Sequence, residues 1–189
     1  MATTGYRFPT TDTISSGVWV NPTNVQADDG NFAVCNLSTK NLTAVRMQGG
    51  YGFSSGVVPD DATVTGMNLR VEWRVSTATS VIAILGVRAR VSTTNLLIHE
   101  NALEPTTFST QVFDITAERA WDPGDLRDGM LITNLEPRNG NDASDPGYMF
   151  EYVSIEAIYS LPVMPRTLTG ACNLDGVGSD GIFLGNALE

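Results

Sequence analysis

Two cysteines, one histidine and eleven basic residues are all that the 189-residue chain holds of the side chains behind most disulfide, metal, acid–base and nucleic-acid chemistry. Cys35 and Cys172 are too few for a disulfide framework and lack the paired spacing of a structural zinc site, so the sequence predicts two thiols. His99, the single histidine, removes most routes to general acid–base catalysis near neutral pH and reads as a structural residue within a strand. Lys and Arg number 11 against 21 Asp and Glu, a net charge of −10, which repels phosphate backbones and excludes non-specific nucleic-acid binding. No run approaches the roughly 18 apolar residues of a membrane span, and Met1 to Arg7 open no apolar core of a secretion signal. A soluble chain with no membrane partner, not exported by that route, is the expectation. Helical periodicity is missing too: only Thr116 to Trp121 could hold a turn or two before Pro123 stops it.

What the sequence does have is strict alternation. Met67, Leu69, Val71, Trp73 and Val75 fall on one face of a strand, with Asn68, Arg70, Glu72 and Arg74 on the other. Leu85, Val87, Ala89 and Val91 repeat the device opposite Arg88 and Arg90, and Val153, Ile155, Ala157 and Tyr159 do so opposite Ser154, Glu156 and Ser160. Weaker strands are expected over 32–37, 44–47, 96–100, 107–115 and 130–135. Reversal chemistry such as Asp28-Asp29-Gly30, Pro59-Asp60-Asp61 and Asp122-Pro123-Gly124 separates these runs. About eight short strands without interposed helices predict an all-β fold, a two-sheet antiparallel β-sandwich of jelly-roll-like form. Its body is expected over 18–160, with an N-terminal arm at 1–17 and an extended, glycine-interrupted C-terminal arm at 161–189. Ordering the latter costs roughly 1–2 kcal/mol per residue in backbone entropy, more than its five large apolar side chains return, so the arm is expected to need a neighbouring surface.

Motifs with chemical meaning are few. Gly52-Phe53-Ser54-Ser55-Gly56 matches a nucleophile elbow, but Val57-Val58-Pro59-Asp60 cannot start the helix which that elbow requires. Asp28-Asp29 and Asp60-Asp61 read as turn formers. Gly176 to Ile182 resembles one copy of a calcium-binding nonapeptide whose sites need stacked repeats, which leaves Asp175 and Asp180 without the oxygens a hard cation wants. Arg70, Arg74, Arg88 and Arg90 line outer strand faces. No catalytic residue, cofactor or metal is expected.

Trp19-Val20-Asn21-Pro22, followed by Asp29-Gly30-Asn31-Phe32-Ala33, resembles the opening of a β-sandwich domain found in virion proteins of tailed bacteriophages. Tyr51-Gly52-Phe53, Val58-Pro59 and Ala62 to Glu72 are similar to its next segments, Trp121 to Leu126 to its tryptophan-bearing turn, and Tyr152 to Tyr159 to its closing strand. The resemblance covers about 18–160. It implies a non-enzymatic virion structural protein assembled in the host cytoplasm, foremost a capsid decoration (cement) protein. Its partners would be other copies of itself, as a homotrimer, and the major capsid protein. Tyr6, Phe8, Leu174, Ile182, Phe183 and Leu184 are the apolar residues expected to make those contacts. The rival expectation is a tail or fibre component, or a glycan- or receptor-binding sandwich, with Trp19 and Trp121 as the available stacking platforms.

Overall fold

A computed structural model describes residues 1–37, 43–76, 83–101, 105–139 and 147–163. Alternation becomes architecture most plainly in the long strands: Met67, Leu69, Val71, Trp73 and Val75 are all buried, while the four polar residues between them stay half-exposed. The strands are β1 (Ala2–Thr3), β2 (Thr11–Ser16), β3 (Val18–Val20), β4 (Ala33–Asn36), β5 (Val45–Gly49), β6 (Thr63–Val75), β7 (Ala83–Val91), β8 (Thr94–Asn101), β9 (Ser109–Asp114), β10 (Leu131–Asn139) and β11 (Gly147–Ser160). Short 3-10 turns at Pro22–Val25, Thr116–Glu118 and Pro123–Leu126 are the helical structure of the described residues. The last is a capping box, in which Asp122 accepts from the Gly124 amide at 2.8 Å and Asp125 from the Asp122 amide at 3.0 Å.

Two antiparallel sheets pack face to face. Sheet A runs β3-β4-β11-β6-β9, with β1 beside the far end of β11, and sheet B runs β2-β5-β10-β7-β8. Within them β4 pairs β11, β5 pairs β10, β6 pairs β9 and β7 pairs β8, so the chain from β4 to β11 is a nested hairpin wrapped into a jelly roll. The expected all-β sandwich is what forms. The two inner faces meet in one core, centred on Trp73, Tyr148 and Phe150, whose rings lie nearly parallel with centroids 6.3 Å apart.

Residues 1–17 depart from the expected arm. β1 pairs with β11, the Arg7 and Ile155 amides exchange hydrogen bonds at 2.8 and 2.9 Å, and β2 forms an edge of sheet B against β5. Backbone pairing places these residues, with Asp12 opposite the inward-facing Gln48. At the other end, 164–189 lie outside the described residues, and with them Leu174, Ile182, Phe183 and Leu184, Cys172, Asp175 and Asp180. Among the described residues no helix is long and apolar enough to cross a membrane.

Polar side chains enter the core at sheet B. The Tyr51 hydroxyl and Thr133 Oγ1 lie 2.5 Å apart, both buried, and burial pushes the Tyr51 phenol well above its usual range. A phenol raised in the folded state holds its contribution below about pH 10, the unfolded value, and loses it as pH climbs through the folded one. Stability measured by urea denaturation should therefore decline above about pH 10. Tyr51→Phe should flatten that decline and lower stability at pH 7 by about 1–3 kcal/mol, since Thr133 is left without its partner.

Candidate functional site

Those residues expected to carry contacts or chemistry that lie within the described residues do not converge. Tyr6 lies with its ring 4.2 Å from the Arg70 guanidinium carbon, and Phe8 meets Tyr152 edge-on at 5.8 Å, so both rest on the chain's own sheet A. Trp19 and Trp121, at 8% and 9% exposure, are core residues and offer no stacking platform. Trp19 Nε1 donates to the Ser16 carbonyl at 3.2 Å and Trp121 Nε1 to the Ile115 carbonyl at 2.9 Å, which fixes both rings. Ser54 sits in a tight turn whose carbonyl accepts from the Val57 and Val58 amides, with no helix behind it. Arg127 holds this loop through the carbonyls of Phe53 and Val58 at 2.8 and 2.9 Å and through Asp60. His99 belongs to β8, paired in register with Val87. Among the described residues no three His, Cys, Asp or Glu gather as metal ligands.

The outer face of sheet A is occupied by its own contacts. Arg70 is layered between Tyr6 and Tyr152, at 4.2 and 4.6 Å, with Nε on Ser154 Oγ at 3.2 Å. Arg74 lies over Phe108 at 4.9 Å and Phe32 at 6.0 Å. Glu72 accepts from Thr110 at 2.9 Å, and Glu156 from Thr3 at 2.5 Å and Asn68 at 3.2 Å. Burial raises the phenols of Tyr6 and Tyr152 against the pull of Arg70, which keeps them neutral and able to donate. The rings are thus stacked on guanidinium groups rather than open to a ligand.

Sheet B differs. Its outer face carries a depression of about 210 Å³ lined by Thr11, Thr13, Met47, Gln48, Gly49, Gly50, Arg90, Gly129 and Ile132. Register explains it: Gly49 stands between Thr11 and Ile132, and Ile132 is itself paired with Arg90, so one row across four strands has a missing side chain at its centre. A Cβ at Gly49 would sit 3.2 Å from Thr11 Oγ1 and 3.6 Å from Ile132, filling the hole. Gly50 continues the floor at φ +69, a left-handed backbone that favours glycine. The walls are apolar at Met47 and Ile132 and polar at the two threonine hydroxyls and the Arg90 guanidinium. No sequence signal exposed this site, since its residues come from β2, β5, β7, β10 and the turn before β10.

No protein-family model matches the sequence, and no curated protein matches it. Among solved structures, the fold is similar to SGBP-B from a complex xyloglucan utilization locus in Bacteroides uniformis, with a TM-score of 0.52 at 14% identity over 80% of this chain. The chain spans about half of that protein, 49% of its length. It is also similar to the CBM22-1 xylan-binding domain of Paenibacillus barcinonensis Xyn10C, with a TM-score of 0.47 at 12% identity over 83% of this chain and 95% of that domain. A structure of infectious bursal disease virus Gt strain gives 0.40 at 10% identity over 79% of this chain and 32% of that one. The latter two superpose too loosely to argue from. The likeness is one of fold, a β-sandwich, and shows no family for the chain.

Proposed function

We propose that the chain is a non-catalytic saccharide-binding module that reads its ligand in the depression on sheet B. One observation carries this reading: the described surface has a concavity whose lining combines aliphatic walls with uncommitted hydroxyls and a cation. A sugar ring presents the matching pair of surfaces, C–H faces for Met47 and Ile132 and hydroxyl edges for Thr11, Thr13 and Arg90. The volume is below the roughly 300–1,000 Å³ of drug-sized sites, which suits one ring of a longer chain rather than a deep substrate. Weak affinity for single rings, strengthened along a polymer by repeated engagement, follows. The likeness to SGBP-B supports the fold of such a module, and that protein's name is its own.

Thr11 and Thr13 are exposed, so exchanging both for valine keeps the branched strand side chain and removes only the hydroxyls. Losing two hydrogen bonds of about 1 kcal/mol each should weaken binding about tenfold or more at unchanged thermal stability, read by affinity electrophoresis and calorimetry. Unchanged affinity in the double variant, or no binding by the parent to any of a broad glycan panel, would remove this proposal.

A second reading, a virion structural component that packs against copies of itself or a capsid protein, draws on the sequence resemblance and on the edges of sheet A. Val18 and Val20 on edge strand β3 are 68% and 46% exposed, and Val112 on the opposite edge strand β9 is 54% exposed. Aliphatic side chains on strands that are sheet edges among the described residues suit strand-to-strand packing with a neighbour. A trimer by light scattering together with silence on the glycan panel would favour this reading over the first.

A further inference from the structure

We infer that the sheet B depression selects an anionic saccharide residue, with Arg90 as the group that holds the anion; this rests on the saccharide-binding reading above. Nine arginines lie within the described residues, and eight are engaged. Arg46, Arg88, Arg119, Arg127 and Arg138 form ion pairs with Asp12, Glu136, Asp125, Asp60 and Glu136. Arg7 donates to the Gly52 carbonyl at 3.1 Å, and Arg70 and Arg74 are layered on aromatic rings. Arg90 alone has neither a carboxylate, a carbonyl nor a ring among the described residues, and its buried Nε has no hydrogen-bond partner. In a chain with ten more acidic than basic charges, the one uncommitted guanidinium among the described residues lines the depression.

The lining around it contains no acid, so the local charge of the site is positive while that of the chain is negative. On the same outer face, Glu136 is paired in register with Gly86, four residues along β7 from Arg90, and is shared by Arg88 at 2.8 Å and Arg138 at 3.4 Å. A partly buried guanidinium without a counter-charge gains most from a planar, bidentate acceptor, which a carboxylate supplies and a neutral hydroxyl does not. Asn134, on the same outer face and paired with Met47, adds a buried Oδ1 without a partner, an acceptor for a ring hydroxyl beside the anion. The acidic surface as a whole repels a polyanion only over distances of about 8 Å at physiological ionic strength, so contact at Arg90 decides the preference. Carboxylate and sulfate on a sugar share this chemistry.

Calorimetric titration of the full chain with a galacturonate oligomer, the same oligomer reduced to neutral galactose units, and a sulfated galactan oligomer tests the assignment. At least one anionic oligomer should bind about tenfold or more tightly than the neutral one, and which one does so identifies the anion. Arg90→Gln should abolish that preference, weakening the charged oligomer about tenfold more than the neutral one, which loses only its hydroxyl contact to Arg90, at an unchanged denaturation midpoint. Equal binding of charged and neutral oligomers by the parent, or an anion preference that survives in a folded Arg90→Gln, overturns the role of Arg90 while leaving saccharide binding intact. Failure of every saccharide overturns both. Should Arg90→Gln not fold, the matched charged and reduced oligomers on the parent still decide.

Discussion

Asp12→Ala should lower the stability of the protein by about 3–5 kcal/mol, read as a fall in the urea midpoint, whereas the double exchange Asp12→Leu with Arg46→Met should recover most or all of that loss. Arg46 is fully buried on the inner face of β5, ion-paired with Asp12 of β2 and placed 5.3 Å from the centre of the Trp19 ring. Its Nε and Nη1 find no hydrogen-bond partner, and both amide atoms of buried Gln48 on the same face are equally unserved. Burial draws the Arg46 guanidinium down to about 10 despite Asp12, and pushes the Asp12 carboxyl above its usual range despite Arg46. Desolvation outweighs attraction at both ends. Such a pair is a net burden whose members still need one another, so removing one strands a buried charge and removing both relieves it. The sign with pH follows: a carboxyl raised in the folded state favours folding below its unfolded value and loses that advantage as pH rises through the folded one. Asp12→Asn should therefore remove a decline in stability with rising pH in the acid range. If the double variant is as unstable as the single one, the pair is a stabilising element and this account of the sheet B interior is wrong.

The same corner shows where sequence reasoning stops. Strands β6, β7 and β11 were legible because their alternation is unbroken over many residues and the apolar set is the one the core receives. In Val45-Arg46-Met47-Gln48 the pattern alternates just as well, yet the polar pair faces inward and Met47 lines the outer depression. Asp12 and Trp19, which make an inward Arg46 tolerable, lie far away in the chain, so nothing local marks the inversion. β1 and β2 were missed for a related reason. Their places are set by backbone bonds to β11 and β5, and neither strand carries the long unbroken alternation that marks β6, β7 and β11. Gly49-Gly50 reads as a turn in sequence but acts as the floor of a site, because its meaning comes from Thr11, Ile132 and Arg90 arriving beside it from three other strands. Arg90 was rightly assigned to an outer face. That it alone lacks a partner among the described residues is a statement about the eight other arginines described, which only the assembled fold can make.

Trp73→Ala should cost about 3–5 kcal/mol, the range for deleting a large buried aromatic, and Trp73→Phe only about 1–2 kcal/mol. Trp73 is fully buried at the centre of the sandwich, with Tyr148 and Phe150 at 6.3 Å and interplanar angles of 11° and 17°. Trp19 extends the cluster at 5.7 Å from Phe150. Alanine would leave a cavity spanning both sheets, because Trp73 is held by β11 on one side and β9 on the other and neither strand can move inward without breaking its ladder. Phenylalanine keeps the ring between Tyr148 and Phe150 and gives up the indole bond to Gln111 Oε1 at 3.2 Å, which half-exposed Gln111 can replace with water. A double-mutant cycle of Trp73→Leu with Tyr148→Leu should return a coupling of about 0.5–1.5 kcal/mol for the ring pair. Saccharide affinity in Trp73→Phe should match the parent, because Trp73 belongs to sheet A and points into the core while the depression opens on the outside of sheet B. A loss of affinity there without a loss of stability would mean that the two sheets move together during binding, and that the sandwich is not the rigid frame on which the Thr11, Thr13 and Arg90 assignments depend.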